Sequence, residues 1–200
     1  MSKLRYYYGA MNSMKSATLL MKAHQFEQSG CEVVLIKPKV DTRDIGVIKA
    51  RPIPEGRICA TIGEDENIID ILTPTLKECF NDKQKVVIFA DEVQFFTEKH
   101  IEELFYIAKE YEVEVFAYGL KLSYKNELFQ ASKKLLILAD TIEEIKSMCE
   151  CGRKATTHVR FVNDIPTLEG LEFTVGDIQG TERYKSVCQV CWHQLLLNVD

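Results

Sequence analysis

"RYYYGAMNSMKSATLL", residues 5–20, carries the pattern on which the fold turns. The stretch LRYYY, residues 4–8, reads as a strand that runs into Gly9. Met14, Lys15 and Ser16 follow, and apolar residues then recur at helical spacing at Leu19, Leu20, Ala23 and Phe26. A strand, a glycine loop and a helix in this order form the setting of the phosphate-cradling motif G-x-x-x-x-G-K-[ST]. There, main-chain N–H groups and the helix N-terminus surround an anion. Read so, Gly9, Ala10, Met11, Asn12, Ser13 and Met14 form the cradle. Lys15 reaches the phosphates, and the Ser16 hydroxyl ligates Mg²⁺. The motif's second glycine is here Met14, so a plain strand–turn–helix with an exposed lysine competes with this reading.

Working outward, Gly30 ends the first helix, and CEVVLIK (31–37) is a compact apolar strand stopped at Pro38. Residues 65–80 have the pattern of an amphipathic helix interrupted near Pro74. VVIFADE (86–92) is a second apolar strand ending in two acids; 98–111 is helical by period, and VEVFAYG (113–119) is a third apolar strand. Residues 128–139 are apolar and helical. Strands without alternation, separated by helices, imply a parallel sheet covered on both faces. The expected fold class is therefore α/β, a P-loop NTPase-like parallel sheet flanked by helices. After about residue 148 the texture changes to short strands and turns with Cys, Gly and Arg. This places a boundary between a domain at 1–147 and a smaller one at 148–200.

The acidic balance, net charge −5, argues against a general nucleic-acid binder. No apolar run approaches the roughly 20 residues of a membrane span, and the start lacks a signal-peptide pattern. The expectation is a cytoplasmic protein with no membrane or nucleic-acid partner and with reduced thiols. Cys31, Cys59 and Cys79 then read as small buried hydrophobes. Cys149-x-Cys151 and Cys188-x-x-Cys191 are different: two thiolate pairs can close a tetrahedral, structural Zn²⁺ site. His193 competes with Cys191 for the fourth position.

Asp91 fits the acid that ends a Walker-B strand and holds Mg²⁺, and Glu92 beside it is placed to accept a proton. Asp41-Thr42-Arg43 follows the second strand; a solvated loop pair and an arginine that assists phosphate charge are both open readings. Tyr124 and Tyr184 are candidate lids over a base.

Taken in order, GAMNSMKS (9–16), DTR (41–43), ADEVQFF (90–96), YGLKLSYKNELF (118–129), CECGRKA (149–155) and GTERYKSVCQVC (180–191) resemble the type II thymidine kinases, nearer their bacterial branch. The resemblance implies transfer of the ATP γ-phosphoryl group to deoxythymidine. It also implies Lys15, Ser16 and Asp91 at phosphate and metal, Glu92 as general base, and Arg43 on the transferring group. Met11 would lie by the thymine methyl, with Asp41, Gln94 and Phe95 near the nucleoside. Tyr124 stands where the family has a stacking Phe, and Tyr184 closes a zinc-rooted "lasso" over the base. A homotetramer inhibited by dTTP is implied too. The chain departs from the family at Met14, at Tyr124 and at Ile178-Gln179-Gly180, where the family reads I-G-G. Met14 keeps one alternative open, a catalytically weak nucleotide-binding relative with a sensor or assembly role.

Overall fold

The computed structural model describes residues 2–170 and 181–197. The elements run β1 (Leu4–Tyr8), α1 (Lys15–Gln28), β2 (Glu32–Pro38), β3 (Val47–Ala50), β4 (Ile53–Ile58), β5 (Ala60–Ile62), α2 (Ile68–Asn81) and β6 (Val86–Ala90). They continue with α3 (Glu98–Glu110), β7 (Glu114–Gly119), α4 (Gln130–Leu138), β8 (Thr141–Glu144), β9 (Ser147–Met148), β10 (Lys154–Ala155), β11 (Thr157–Val162), β12 (Ile165–Thr167), β13 (Glu182–Val187) and α5 (Gln189–Leu197).

The main sheet has the order β5-β2-β6-β7-β1-β8, with every pairing parallel. Side chains alternate across it as the pleat requires. Leu4, Tyr6, Ile88, Ala90, Val115 and Ala117 face one way and pack on α2, α3 and α4. Tyr7, Val87, Phe89, Phe116 and Tyr118 face the other and pack on Leu19, Leu20 and Ala23 of α1, with Ile48 of the β3–β4 hairpin. Both faces are thus apolar, which is why these strands show no alternation in sequence. Full burial of one such side chain contributes roughly 1.5–3 kcal/mol.

Cys59 and Cys79 are buried as expected, and Cys31 is half-buried against the α1 cluster. Pro74 corrects one expectation: α2 runs through it without a break. The helix bears its apolar stripe at Ile68, Leu72, Leu76 and Cys79, buried in the sheet-packing core. That packing holds the turn despite the bond Pro cannot donate. The sequence reading also left three features unassigned: the parallel edge strand β8, the short β5, and the antiparallel hairpin β3–β4.

A second, antiparallel sheet, β12-β11-β13, and the small ladder β9–β10 follow. Val159, Phe161, Val187, Ala155, Cys149 and Cys188 form their core, and Ala10 of the glycine loop packs into it. This contact sets the small sheet directly against the loop that follows β1.

Candidate active site

The strands β1, β2, β6 and β7 all point the same way, so the loops after them meet at one sheet edge. The carboxyl edge is where open α/β sheets gather ligand-binding groups. Gly9 leaves β1 in a space no larger residue could share. A Cβ there would lie 2.3 Å from Ser13 Oγ and 2.6 Å from the Ile145 carbonyl oxygen. The loop then turns through two left-handed residues, Asn12 (φ 58°) and Met14 (φ 65°), before α1 begins at Lys15. The backbone therefore takes the form the glycine motif provides, with Met14 bearing the strain. The residue is 52% exposed, on the open rim of the loop.

Lys15 is buried, and its Nζ donates to the Ala10 carbonyl at 2.8 Å. Burial pushes its pKa down, opposed by the charges of Glu92 and Asp91. The Ser16 hydroxyl is hydrogen-bonded to the Asp91 carboxylate, which also accepts from the Glu92 N–H at 3.0 Å. Burial, and then the neighbouring Glu92 charge, push Asp91 up to about 7. The buried Asp91 carboxylate, its pKa raised by burial, and the Ser16 hydroxyl bonded to it are a pair of hard oxygen donors. That suits a hard divalent cation such as Mg²⁺, held by Ser16 and Asp91.

Glu92 sits in the left-handed region at φ 51°. Burial would raise its pKa, but Arg43 first and then Lys15 and Gln94 overcome this and hold it below the ordinary value. Arg43 Nη2 donates to Glu92 at 2.6 Å, and Gln94 Nε2 donates to its other oxygen at 2.5 Å. Gln94 is itself anchored, its Oε1 accepting from the Leu120 N–H at 2.9 Å. Arg43 Nε pairs with Asp41 at 2.7 Å, and Asp41 accepts from the buried Lys37 at 3.0 Å. The chain Lys37–Asp41–Arg43–Glu92 aims the Glu92 carboxylate and holds it ionised, as a general base requires.

A cavity of about 240 Å³ opens over this edge. Met11, Asn12, Ser13, Met14, Lys15, Ser16, Arg43 and Glu92 line it together with Gln94, Phe95, Tyr124 and Tyr184. Asp41 and Asp91 instead line an adjoining recess with Ser16 and Arg43. Gly9 and Ala10 lie behind the loop, away from the main cavity. Tyr124 is 2% exposed, and its ring centroid is 6.3 Å from that of Tyr184. The hydroxyl that distinguishes Tyr124 from a phenylalanine is satisfied, donating toward the carbonyls of Gly170 (2.8 Å) and Glu169 (3.1 Å). Ile178-Gln179-Gly180 lies outside the described residues.

The sulfurs of Cys149, Cys151, Cys188 and Cys191 lie within 4.8 Å of one another. His193 is not in this group; its ring stands against Trp192 at 5.1 Å. The Cys191 N–H, in the first turn of α5, points at Cys188 Sγ at 3.5 Å and draws that thiol down to about 6. Four clustered sulfurs fit a soft tetrahedral metal such as zinc. The cluster is bolted to the cavity wall. Trp192 Nε1 donates to the Tyr124 carbonyl at 3.1 Å, and Gln189 and Asn126 exchange a pair of amide hydrogen bonds.

Sequence reasoning missed Lys37, the hairpin residue Arg51 and His158, the last two of which line the main cavity. None belongs to a short motif. Lys37 ends a strand, and His158 is one residue of an alternating strand, so only the assembled structure brings them to the site. Among the described residues, no helix is long and apolar enough to cross a membrane.

The site's loops carry a family likeness. The family described as "Thymidine kinase" matches residues 2–192. A thymidine kinase of Streptococcus thermophilus (strain CNRZ 1066) is 38% identical over 194 residues, covering 96% of this chain and 94% of that protein. One of Streptococcus gordonii is 39% identical over 193 residues, 94% and 95% of the two chains. The thymidine kinase of Enterobacteria phage T4 is 35% identical over 196 residues, 98% and 97%.

Proposed function

The chain belongs to the thymidine kinase family, and from that premise we propose that it transfers the γ-phosphoryl group of ATP to the 5′-hydroxyl of deoxythymidine, giving ADP and dTMP. One observation carries the reading: the phosphate loop and the Glu92 carboxylate open into the same cavity as an aromatic wall of Phe95, Tyr124 and Tyr184. Phosphates and a flat base can therefore be held at once, with an oriented base between them.

In this reading, N–H groups of residues 9–16 and the Lys15 ammonium hold the donor phosphates. Ser16 and Asp91 would hold Mg²⁺, which would supply positive charge to the donor phosphates. Glu92 accepts the proton of the 5′-hydroxyl, and the Arg43 guanidinium, 2.6 Å from Glu92, orients that carboxylate and faces the transferring group. Met11, Gln94, Phe95 and Tyr124 enclose the nucleoside, and Tyr184 covers it. Asp41 acts through Arg43 rather than on the substrate. Such a transfer depends chiefly on position and electrostatics.

Residues 148–200 act as the closing domain, with one zinc on Cys149, Cys151, Cys188 and Cys191 fixing its root. Removing that metal with a chelator is expected to raise the deoxythymidine KM about tenfold, since holding the root of this domain in place then costs about 1.4 kcal/mol more on binding. Donor KM should change little. A metal-free protein with unchanged nucleoside KM would remove this role. The same reading extends to a cytoplasmic salvage enzyme that assembles as a homotetramer and is inhibited by dTTP. Gel filtration and a dTTP titration check these.

The test of the reaction is steady-state ADP production with ATP, Mg²⁺ and deoxythymidine, against deoxyuridine, deoxycytidine and no nucleoside. Turnover dependent on deoxythymidine is expected. Folded, zinc-loaded protein without it would overturn the proposal.

Met14 supplies a further expectation. A side chain at φ 65° costs about 1 kcal/mol relative to glycine. Met14→Gly should raise thermal stability by that order. Turnover should change less than tenfold, because the loop already has its backbone form and the residue is half exposed rather than packed. A gain of tenfold or more would mean that Met14 impairs the loop.

A further inference from the structure

His158 stands on β11 opposite Ser186 of β13, and the Ser186 hydroxyl donates to the Met11 carbonyl in the phosphate loop. This pairing sets the imidazole in the cavity wall beside Met11 and Tyr184, its centroid 5.9 Å from the Tyr184 ring in an edge-on contact. The residue is only 3% exposed. Among the described residues its ring nitrogens make no hydrogen bond or ion pair, and neither is sealed off from the open space. His158 lines the main cavity and also the small recess behind the loop beside Gly9 and Ala10. Buried polar groups are nearly always paired, and of these two spaces the main cavity is the one roomy enough for a ligand to arrive as that partner.

The chemistry of that partner is constrained. Burial first, and the nearby Lys15 charge second, push the imidazole down to about 3, so it is neutral at physiological pH. A neutral imidazole offers one donor and one acceptor and no charge for a phosphate. The cationic groups that line the cavity are Lys15, Arg43 and Arg51, and charge for the phosphates comes from these. The polar edge of a pyrimidine, with ring carbonyls and a ring N–H, matches what His158 has to give. A second role, simple packing, would be met equally well by an apolar ring.

We infer that His158 is a base-reading residue: a neutral imidazole that hydrogen-bonds the polar edge of the pyrimidine where the base lies against Met11 and Tyr184. The inference rests on the kinase reading above and adds to it a residue that no motif in the sequence marks.

The test compares full-length, zinc-loaded wild type with His158→Phe, which keeps a planar ring without polar atoms, and His158→Gln, which keeps a donor and an acceptor. Losing one hydrogen bond to the base should raise the deoxythymidine KM about tenfold in His158→Phe, with ATP KM unchanged and His158→Gln recovering most of the loss. His158→Ala serves in place of His158→Phe should the latter not fold, with the same expectation. An unchanged deoxythymidine KM, equal losses in His158→Phe and His158→Gln, or a parallel rise in ATP KM would overturn it. Wild type without turnover would instead fault the kinase reading. Calorimetric titration of deoxythymidine into wild type and variants would then still score His158, and absence of binding to wild type would overturn both.

Discussion

Glu92→Gln is expected to lower kcat by about 10²–10⁴-fold, the usual contribution of a positioned general base, with the fold and ATP binding retained. The substitution keeps the side chain's length and removes its capacity to take a proton. It also disturbs the relay around it. Gln94 Nε2 donates to Glu92 at 2.5 Å, while Gln94 Oε1 is committed to the Leu120 N–H. A glutamine that turns its amide toward Gln94 sets two donors face to face, and one that turns it toward Arg43 meets a second set of donors. Loss of the acceptor is therefore not compensated locally. Glu92→Asp is the control, since it keeps the charge and withdraws it by about one methylene; an intermediate loss is expected. Single-turnover measurements with saturating ATP and deoxythymidine check both. Turnover of Glu92→Gln within a few-fold of wild type would assign the proton to another acceptor.

Gly9→Ala should be nearly as damaging for a reason unrelated to charge. The added methyl would meet Ser13 Oγ at 2.3 Å and the Ile145 carbonyl oxygen at 2.6 Å. The serine can rotate, but Ile145 is main chain, held by its N–H to the Tyr8 carbonyl at 2.7 Å. The phosphate loop must move instead. A shift of about 1 Å in groups that position a substrate is worth on the order of 10²-fold in rate. Overpacking of this kind costs about 1–3 kcal/mol of stability as well. The expected result is a folded protein with a lower melting temperature, a raised ATP KM and kcat down on the order of 10²-fold. Kinetics like those of wild type would show that the loop tolerates displacement. The contrast with Met14 is instructive: at Gly9 the limit is space, whereas at Met14, a half-exposed residue, it is a dihedral angle.

Much of this was written in short segments. The apolar runs at β2, β6 and β7 and the periodicity of α1 and α3 declare a covered parallel sheet, because each element's burial pattern is a local property of its own residues. Gly9, Lys15, Ser16, Asp91 and Glu92 were legible for the same reason: the chemistry of each needs a strand end and a loop, and both lie within a few residues of it. The paired spacing of the four cysteines likewise marked them before their sulfurs were seen to cluster, although only the structure separated Cys191 from His193.

What the chain could not declare in sequence are relations between distant segments. Pro74 reads as a break, yet α2 continues through it because the core packs on both sides of the residue. The edge strand β8 is a half-exposed four-residue run whose only claim to be a strand is its pairing with β1. Whether Met14 could stand in for glycine depended on its φ, which the surrounding loop sets. Lys37 binds Asp41 because a strand end and the loop after it fold back together, and His158 faces the cavity because Ala10 packs into its sheet and Ser186, across the ladder, fastens that sheet to Met11. Propensity and pattern are summed along the chain, so sequence alone determined the elements and the reacting groups. Orientation, pairing and protonation are set by neighbours far away in sequence, and those only the tertiary structure decided.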